Sequence, residues 1–358
     1  LISSSARCPT TRMTRSHSTR AFLRLSSRIV LWRYGSINFH APIRDESPAA
    51  VIRQSHRSRE CQCFSLTAPL FSSVVTMAIS SPILLTSPNI ESVLNPLTEN
   101  IDGRTTLISL CGAGGKTSTL FWLADYFHQQ GKKVLLTTST RMFLPAPSPR
   151  RSLLIEADPI RQLTRCQALP DEPMQLVLFS HLDRASGKAV GPSPQQIDLL
   201  KGQQRFDIIL VEADGAHHKL LKAPALHEPC IPQHSDWVIA LVGGAMVGAS
   251  ADPAQIHRWA EFQTLCGIAA GERLDWALFD RLIAHPEGAF KGTPPGARRV
   301  WFINGDYQNE QQWLPALINL LQRHPELHAI WQGAVREPGA IHHVCSRPAP
   351  EAAQSLTR

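Results

Sequence analysis

The sequence predicts an α/β protein, P-loop NTPase-like, with a doubly wound, mainly parallel sheet and flanking helices. Three observations carry that expectation. The apolar run Leu107-Ile108-Ser109-Leu110-Cys111 enters the glycine cluster Gly112-Ala113-Gly114-Gly115, and Lys116-Thr117-Ser118 then opens an amphipathic stretch. A second apolar run follows within roughly thirty-five residues, the length of a βαβ unit. Further short apolar runs do not alternate with polar residues, as in strands buried on both faces.

Taken in order, residues 1–76 are rich in Arg and Ser, poor in acids and without a sustained period. They read as a disordered segment, either a leader or, preferably, sequence upstream of a start at Met77 that was placed too early. Residues 77–104 are a polar lead-in with one amphipathic stretch, 90–97, interrupted by Pro96. The nucleotide-binding domain is expected at 105–335, beginning with a strand at about 105–111. The helix after it sets Leu120, Ala124 and Phe127 on one face with Leu123 beside them, and Gly131 closes it. Strands follow at 134–138, 152–155, 175–179, 208–211, 238–242 and 300–303. Helical patterns fall near 194–200, 253–266 and 276–284, and the last, 310–323, aligns Trp313, Leu317, Leu320 and Leu321. Residues 336–358 read as a flexible tail rich in Pro, Ala and Ser.

Strand, glycine loop and helix in that order are what a phosphate cradle requires. Glycines let N–H groups converge on one point, where a Cβ would block an anion. Gly112, Ala113, Gly114, Gly115, Lys116, Thr117 and Ser118 form the expected cradle for ATP or GTP. Lys116 would reach the terminal phosphates and the Thr117 hydroxyl would hold Mg²⁺. The usual loop would need glycine where Leu110 stands, so the fit is to the shorter form Gly-x-x-Gly-Lys-Thr, similar to that of peptidoglycan-building ligases. A dinucleotide-binding turn is the alternative: its third glycine would fall on Thr117, and the next strand exit, Thr137-Thr138-Ser139-Thr140-Arg141, lacks an acid for a ribose. Arg141 would instead meet a 2′-phosphate.

Hydrolysis also needs an acid near the metal, and the apolar strand at 206–211 runs into Glu212-Ala213-Asp214-Gly215. Asp214 is expected with Thr117 in the Mg²⁺ shell, and Glu212, on the same side of the strand, at the metal or a water. Lys116, Glu212 and Asp214 are thus the candidate catalytic residues. Lys219 and Lys222, with His227 and Glu228, suggest a basic lip for an anionic substrate. His217, His218, His227 and His234 match no standard metal-ligand spacing. Arg258 is a candidate charge-stabilising finger, although a surface arginine is the commoner case. Asn304-Gly305-Asp306 departs from the guanine-reading pattern and assigns no base.

These stretches, together with Met142-Phe143, Leu221-Lys222-Ala223-Pro224-Ala225-Leu226-His227-Glu228-Pro229 and Ile256-His257-Arg258, resemble the YqeC family over about residues 103–305. The resemblance implies a bacterial, cytoplasmic accessory protein for selenium-dependent molybdenum hydroxylases, with the hydroxylase or its cofactor as partner. The combined expectation is a nucleotide-binding, Mg²⁺-dependent NTPase in the maturation of such a hydroxylase. Alternatives are a phosphoryl or ligase-type transferase acting on an anionic acceptor, and a non-catalytic scaffold switched by nucleotide.

Composition narrows the classes further. The chain has 358 residues, 43% of them hydrophobic, enough for a sizeable core. Its net charge of +7 is concentrated at one end: residues 1–76 hold 11 Arg, no Lys and 3 acids, which leaves the body nearly neutral. A nucleic-acid footprint on the folded part is therefore not expected, and no apolar run is long enough to span a bilayer. The 8 cysteines form no Cys-x-x-Cys pair and read as reduced thiols.

Overall fold

The computed structural model describes residues 84–86, 89–98, 103–305, 310–337 and 340–347. The Arg- and Ser-rich segment 1–76 and Asp306 lie outside the described residues. One sheet contains β1 (Leu84–Thr86), β2 (Thr106–Gly112), β3 (Val134–Thr138), β4 (Arg151–Ile155) and β5 (Gln175–Phe179). It continues through β6 (Ile208–Glu212), β7 (Trp237–Gly243), β8 (Arg298–Asn304), β9 (Leu327–Gly333) and β10 (Ile341–Ser346). The spatial order is β1-β10-β9-β8-β7-β2-β6-β3-β5-β4. All neighbours from β9 to β4 are parallel. At the other margin β10 runs antiparallel to β9, and β1 antiparallel to β10.

The helices are α1 (Ile90–Leu94), α2 (Lys116–Gln129), α3 (Pro159–Gln167), α4 (Pro194–Gly202), α5 (Trp259–Cys266), α6 (Trp276–Ala284) and α7 (Glu310–Arg323). Strand alternation distributes them over both faces. From β2, Ile108 and Leu110 pack with Leu120, Leu123, Ala124 and Phe127 of α2. Leu107 faces the other way, toward Cys166 of α3 and Ile197 and Leu200 of α4. Cys111 shares that second face with Phe262, Phe279 and Leu317 of α5, α6 and α7. Both faces of the central strands are covered, which is why their sequences run apolar without alternation. The result is a mixed α/β body with a large, mostly parallel sheet, consistent with a doubly wound fold.

Local sequence explains the boundaries. Asp158 caps α3 by accepting from Ile160 N–H at 2.8 Å, and Asp275 caps α6 by accepting from Leu278 N–H at 2.9 Å. The helical pattern at 253–266 proves to be two things. Ile256–His257 first pairs in parallel with Leu221–Lys222, and α5 starts only after Arg258, whose φ is +59°. The tail expected from residue 336 holds an ordered strand instead. Val344 and Cys345 of β10 lie opposite Trp331 and Ile330 of β9 and are buried, which supplies the apolar contact a tail would lack. Among the described residues no helix is long and apolar enough to cross a membrane.

Candidate functional site

Parallel strands bring their C-terminal ends to one edge, and the segments after β2, β3, β5, β6 and β9 line a cleft of about 900 Å³ there. The loop after β2 depends on its glycines. Gly114 has φ +85°, and a Cβ there would lie 2.2 Å from the Gly243 nitrogen. Gly115 has φ +114°, and its Cβ would lie 2.3 Å from Asn304 Nδ2. Gly114 excludes other residues on conformation and on space, and Gly115 on conformation.

The loop's N–H groups divide into two sets. Gly112 donates to Asp214 Oδ2 at 3.0 Å, Ala113 to Leu241 O at 3.0 Å and Gly114 to Lys219 O at 3.2 Å. These three bonds fasten the loop to the body. Among the described residues no acceptor meets the N–H groups of Gly115, Lys116, Thr117 and Ser118, all of which line the cleft. Four unsatisfied donors at the head of α2 carry the positive end of its dipole.

Beneath the loop lies a chain of buried charges. Lys116 Nζ donates to Gly112 O at 2.6 Å and pairs with Asp214 Oδ1 at 3.1 Å. Burial opposes its charge, but Asp214 and Glu212 outweigh burial and hold its pKa above the ordinary lysine value. Asp214 Oδ2 also meets Lys222 Nζ at 2.9 Å. Lys222 in turn donates to Gly215 O at 2.7 Å and Glu228 Oε2 at 2.8 Å. Arg258 completes the chain with Nε 3.2 Å from Glu228 Oε2. Burial alone would raise the Glu228 carboxyl, yet hydrogen bonds from Arg258 and Lys222 bring it down to about 2. Burial, then Lys222, His217 and Arg258, lower His257 to about 4.

Glu212 behaves differently from Asp214. Its Oε2 accepts from Thr117 Oγ1 at 2.7 Å, and it lines the cleft. Burial raises its pKa against the lowering effects of Lys116 and the Thr117 hydroxyl. The structure therefore brings 112–118, Glu212 and Asp214 together, with Glu212 at the cleft and Asp214 under the loop, facing two amines. Lys222, expected in a basic lip, is buried, and Lys219 Nζ donates to Ala254 O. Arg258 serves as the partner of Glu228. Among the described residues no group of three His, Cys, Asp or Glu is placed to hold a metal.

Two side chains at the site have roles the sequence did not reveal. Asn304 donates from Nδ2 to Gly114 O at 2.7 Å and accepts from Val335 N–H at 3.2 Å. It acts on the loop's backbone rather than on a base. Arg336 donates to Ser118 Oγ at 3.2 Å and adds a cation beside the open N–H groups. Its only sequence cue was a lone arginine after an apolar run, which has no fixed spacing to the loop.

These features define an α/β protein with a glycine loop, a head-on helix and an acid–amine network at the C-terminal edge of a mostly parallel sheet. The chain belongs to the YqeC family. The family model described as YqeC protein matches residues 108–260, which run from β2 into α5. The Escherichia coli (strain K12) protein described as uncharacterized protein YqeC is 39% identical over 259 residues, covering 70% of this chain and 97% of that protein.

Proposed function

We propose that the cleft binds a nucleoside triphosphate, ATP or GTP, with Mg²⁺, and that the loop after β2 is a P-loop. The observation that carries this reading is the set of four acceptor-free N–H groups at 115–118, flanked by Lys116 and Arg336. An anion with several oxygens satisfies them together, as single capping side chains do not. Lys116, now turned to Gly112 O, reaches terminal phosphates by exchanging that carbonyl for phosphate oxygen. Bound Mg²⁺ supplies charge neutralisation on the phosphates. Thr117 and Glu212 are the residues that hold it, since the hydroxyl and the carboxylate already meet at 2.7 Å in the cleft. Asp214, grouped from the sequence with Thr117, acts one layer below by anchoring Lys116 and the Gly112 N–H.

The proposed activity is Mg²⁺-dependent NTP hydrolysis. Its proposed purpose, maturation of a selenium-dependent molybdenum hydroxylase in the cytoplasm, rests on the family resemblance rather than on the site's geometry.

Calorimetric titration of ATP and GTP with Mg²⁺ tests the reading, with Lys116→Ala in parallel. Loss of a charge-assisted contact to phosphate weakens binding by about 10- to 100-fold. Equal affinity for the two proteins overturns it.

A further inference from the structure

We propose that the cleft wall across from the loop is a subsite for a second ligand, a small carboxylate or phosphate carried on a flat ring, bound beside the nucleotide. The inference rests on the triphosphate reading of the loop but uses other residues. The strands Arg141–Met142, His181–Asp183 and Lys188–Val190 form a small antiparallel sheet, from which Arg141, Phe143 and Lys188 line the cleft. This wall emerges next to Glu212. Thr138 Oγ1 donates to Glu212 O at 2.6 Å, and Ser139 N–H donates to the same oxygen at 3.2 Å. A ligand held there lies on the Thr117–Glu212 side, where the terminal phosphates are expected, and not on the Arg336 side.

The chemistry of the wall selects the ligand. Phe143 is 54% exposed, with Lys188 Nζ 4.9 Å from its ring centroid. The His218 ring stacks near it at 6.1 Å with an interplanar angle of 14°. A half-exposed aromatic ring beside a lysine suits a flat ring that bears negative charge. Among the described residues Lys188 forms no ion pair within 4.0 Å, although its charge acts on the Glu212 carboxyl, and the ion pair of Arg141, 61% exposed, is with Asp183. His217 and His218 adopt φ of +48° and +60°, adjacent non-glycine residues in a left-handed conformation at the cleft's rim.

Charge and size agree. The lining carries five Lys and Arg against two carboxylates, and one of those, Glu228, is already matched by Lys222 and Arg258. A volume of about 900 Å³ is near the top of the ~300–1,000 Å³ range of small-molecule sites.

The test is titration of phenyl phosphate into the full chain loaded with Mg²⁺ and a non-hydrolysable ATP or GTP analogue. The expected result is binding to the loaded wild type, weakened by about tenfold or more in Arg141→Gln/Lys188→Gln, with nucleotide affinity kept within about threefold. Phe143→Ala weakens phenyl phosphate but not inorganic phosphate. Displacement of the nucleotide by phenyl phosphate, unchanged binding in the double variant, or no binding to the wild type overturns the subsite. Phenyl phosphate binding that depends on Arg141 and Lys188 in a protein that takes no nucleotide keeps the subsite and removes the triphosphate reading.

Discussion

Lys222 is the central link of the buried charge chain, and replacing it by methionine isolates what that link contributes. The change keeps the apolar stem and removes the amine, which is 1% exposed and contacts Asp214 Oδ2, Glu228 Oε2 and Gly215 O at 2.9, 2.8 and 2.7 Å. Breaking a buried ion pair on one side costs roughly 3–5 kcal/mol, because the remaining charge stays desolvated. Here neither acid is wholly abandoned. Asp214 keeps Lys116 and the Gly112 N–H, and Glu228 keeps Arg258. The expected loss is therefore at the low end, about 3 kcal/mol. In a body of this size that lowers the melting temperature by roughly 6–12 °C, and urea unfolding moves its midpoint at unchanged m. Adding Glu228→Gln to the variant costs less than the same change costs in the wild type, because its contact with Lys222 is already gone. A single-variant loss below about 1 kcal/mol, the scale of an exposed pair, refutes the claim that this chain is a buried structural unit. So does a double variant less stable than the single by the full separate cost of Glu228→Gln.

Three further outcomes follow from named contacts. Gly114→Ala puts a Cβ 2.2 Å from backbone at a φ of +85°, so the loop must shift; both melting temperature and nucleotide binding fall, and either remaining at the wild-type value contradicts the loop geometry. Thr117→Val deletes the hydroxyl bonded to Glu212, and calorimetry with and without EDTA then shows nucleotide affinity that no longer responds to Mg²⁺, at little cost in stability. Acid sensitivity comes in two windows. The unfolded chain protonates His257 more readily than the fold does, so stability falls as pH drops from about 6.5 toward about 4. Glu228, whose folded pKa is about 2, stabilises fully above the ordinary glutamate pKa, and that share is lost as pH falls from there toward 2. His257→Asn flattens the first window in urea titrations run across pH, and Glu228→Gln flattens the second.

Much of the central sheet was legible because burial on both faces leaves an unbroken apolar signal, and β3 and β5 have the bounds their runs suggested. The margin at β9 and β10 was not: an exposed His328 in β9 and half-buried His342 and His343 in β10 break the run that a strand buried on both faces shows. α3 buries only Gln162 and Cys166, so its apolar period is faint; the Asp158-Pro159 start was its readable cue. At the site, local order identified the loop and the acid-bearing strand together. The different places of Glu212 and Asp214 were hidden, because two residues on one side of a strand look equivalent until the strand ends. Glu212 is the last residue of β6, and beyond it the chain turns under the loop. Lys222 carried its charge openly in the sequence, but its burial depends on a short pairing with Ile256–His257, more than thirty residues away.

Asn304 ties Gly114 O to the Val335 amide with one side chain, and so joins two segments about 220 positions apart into a single mechanical element. Any shift of the loop backbone on loading pulls directly on the connection between β9 and β10. Solvent deuterium uptake at Val335 thus reports events at the head of α2, and Asn304→Ala silences that report while leaving the cleft's own donors in place.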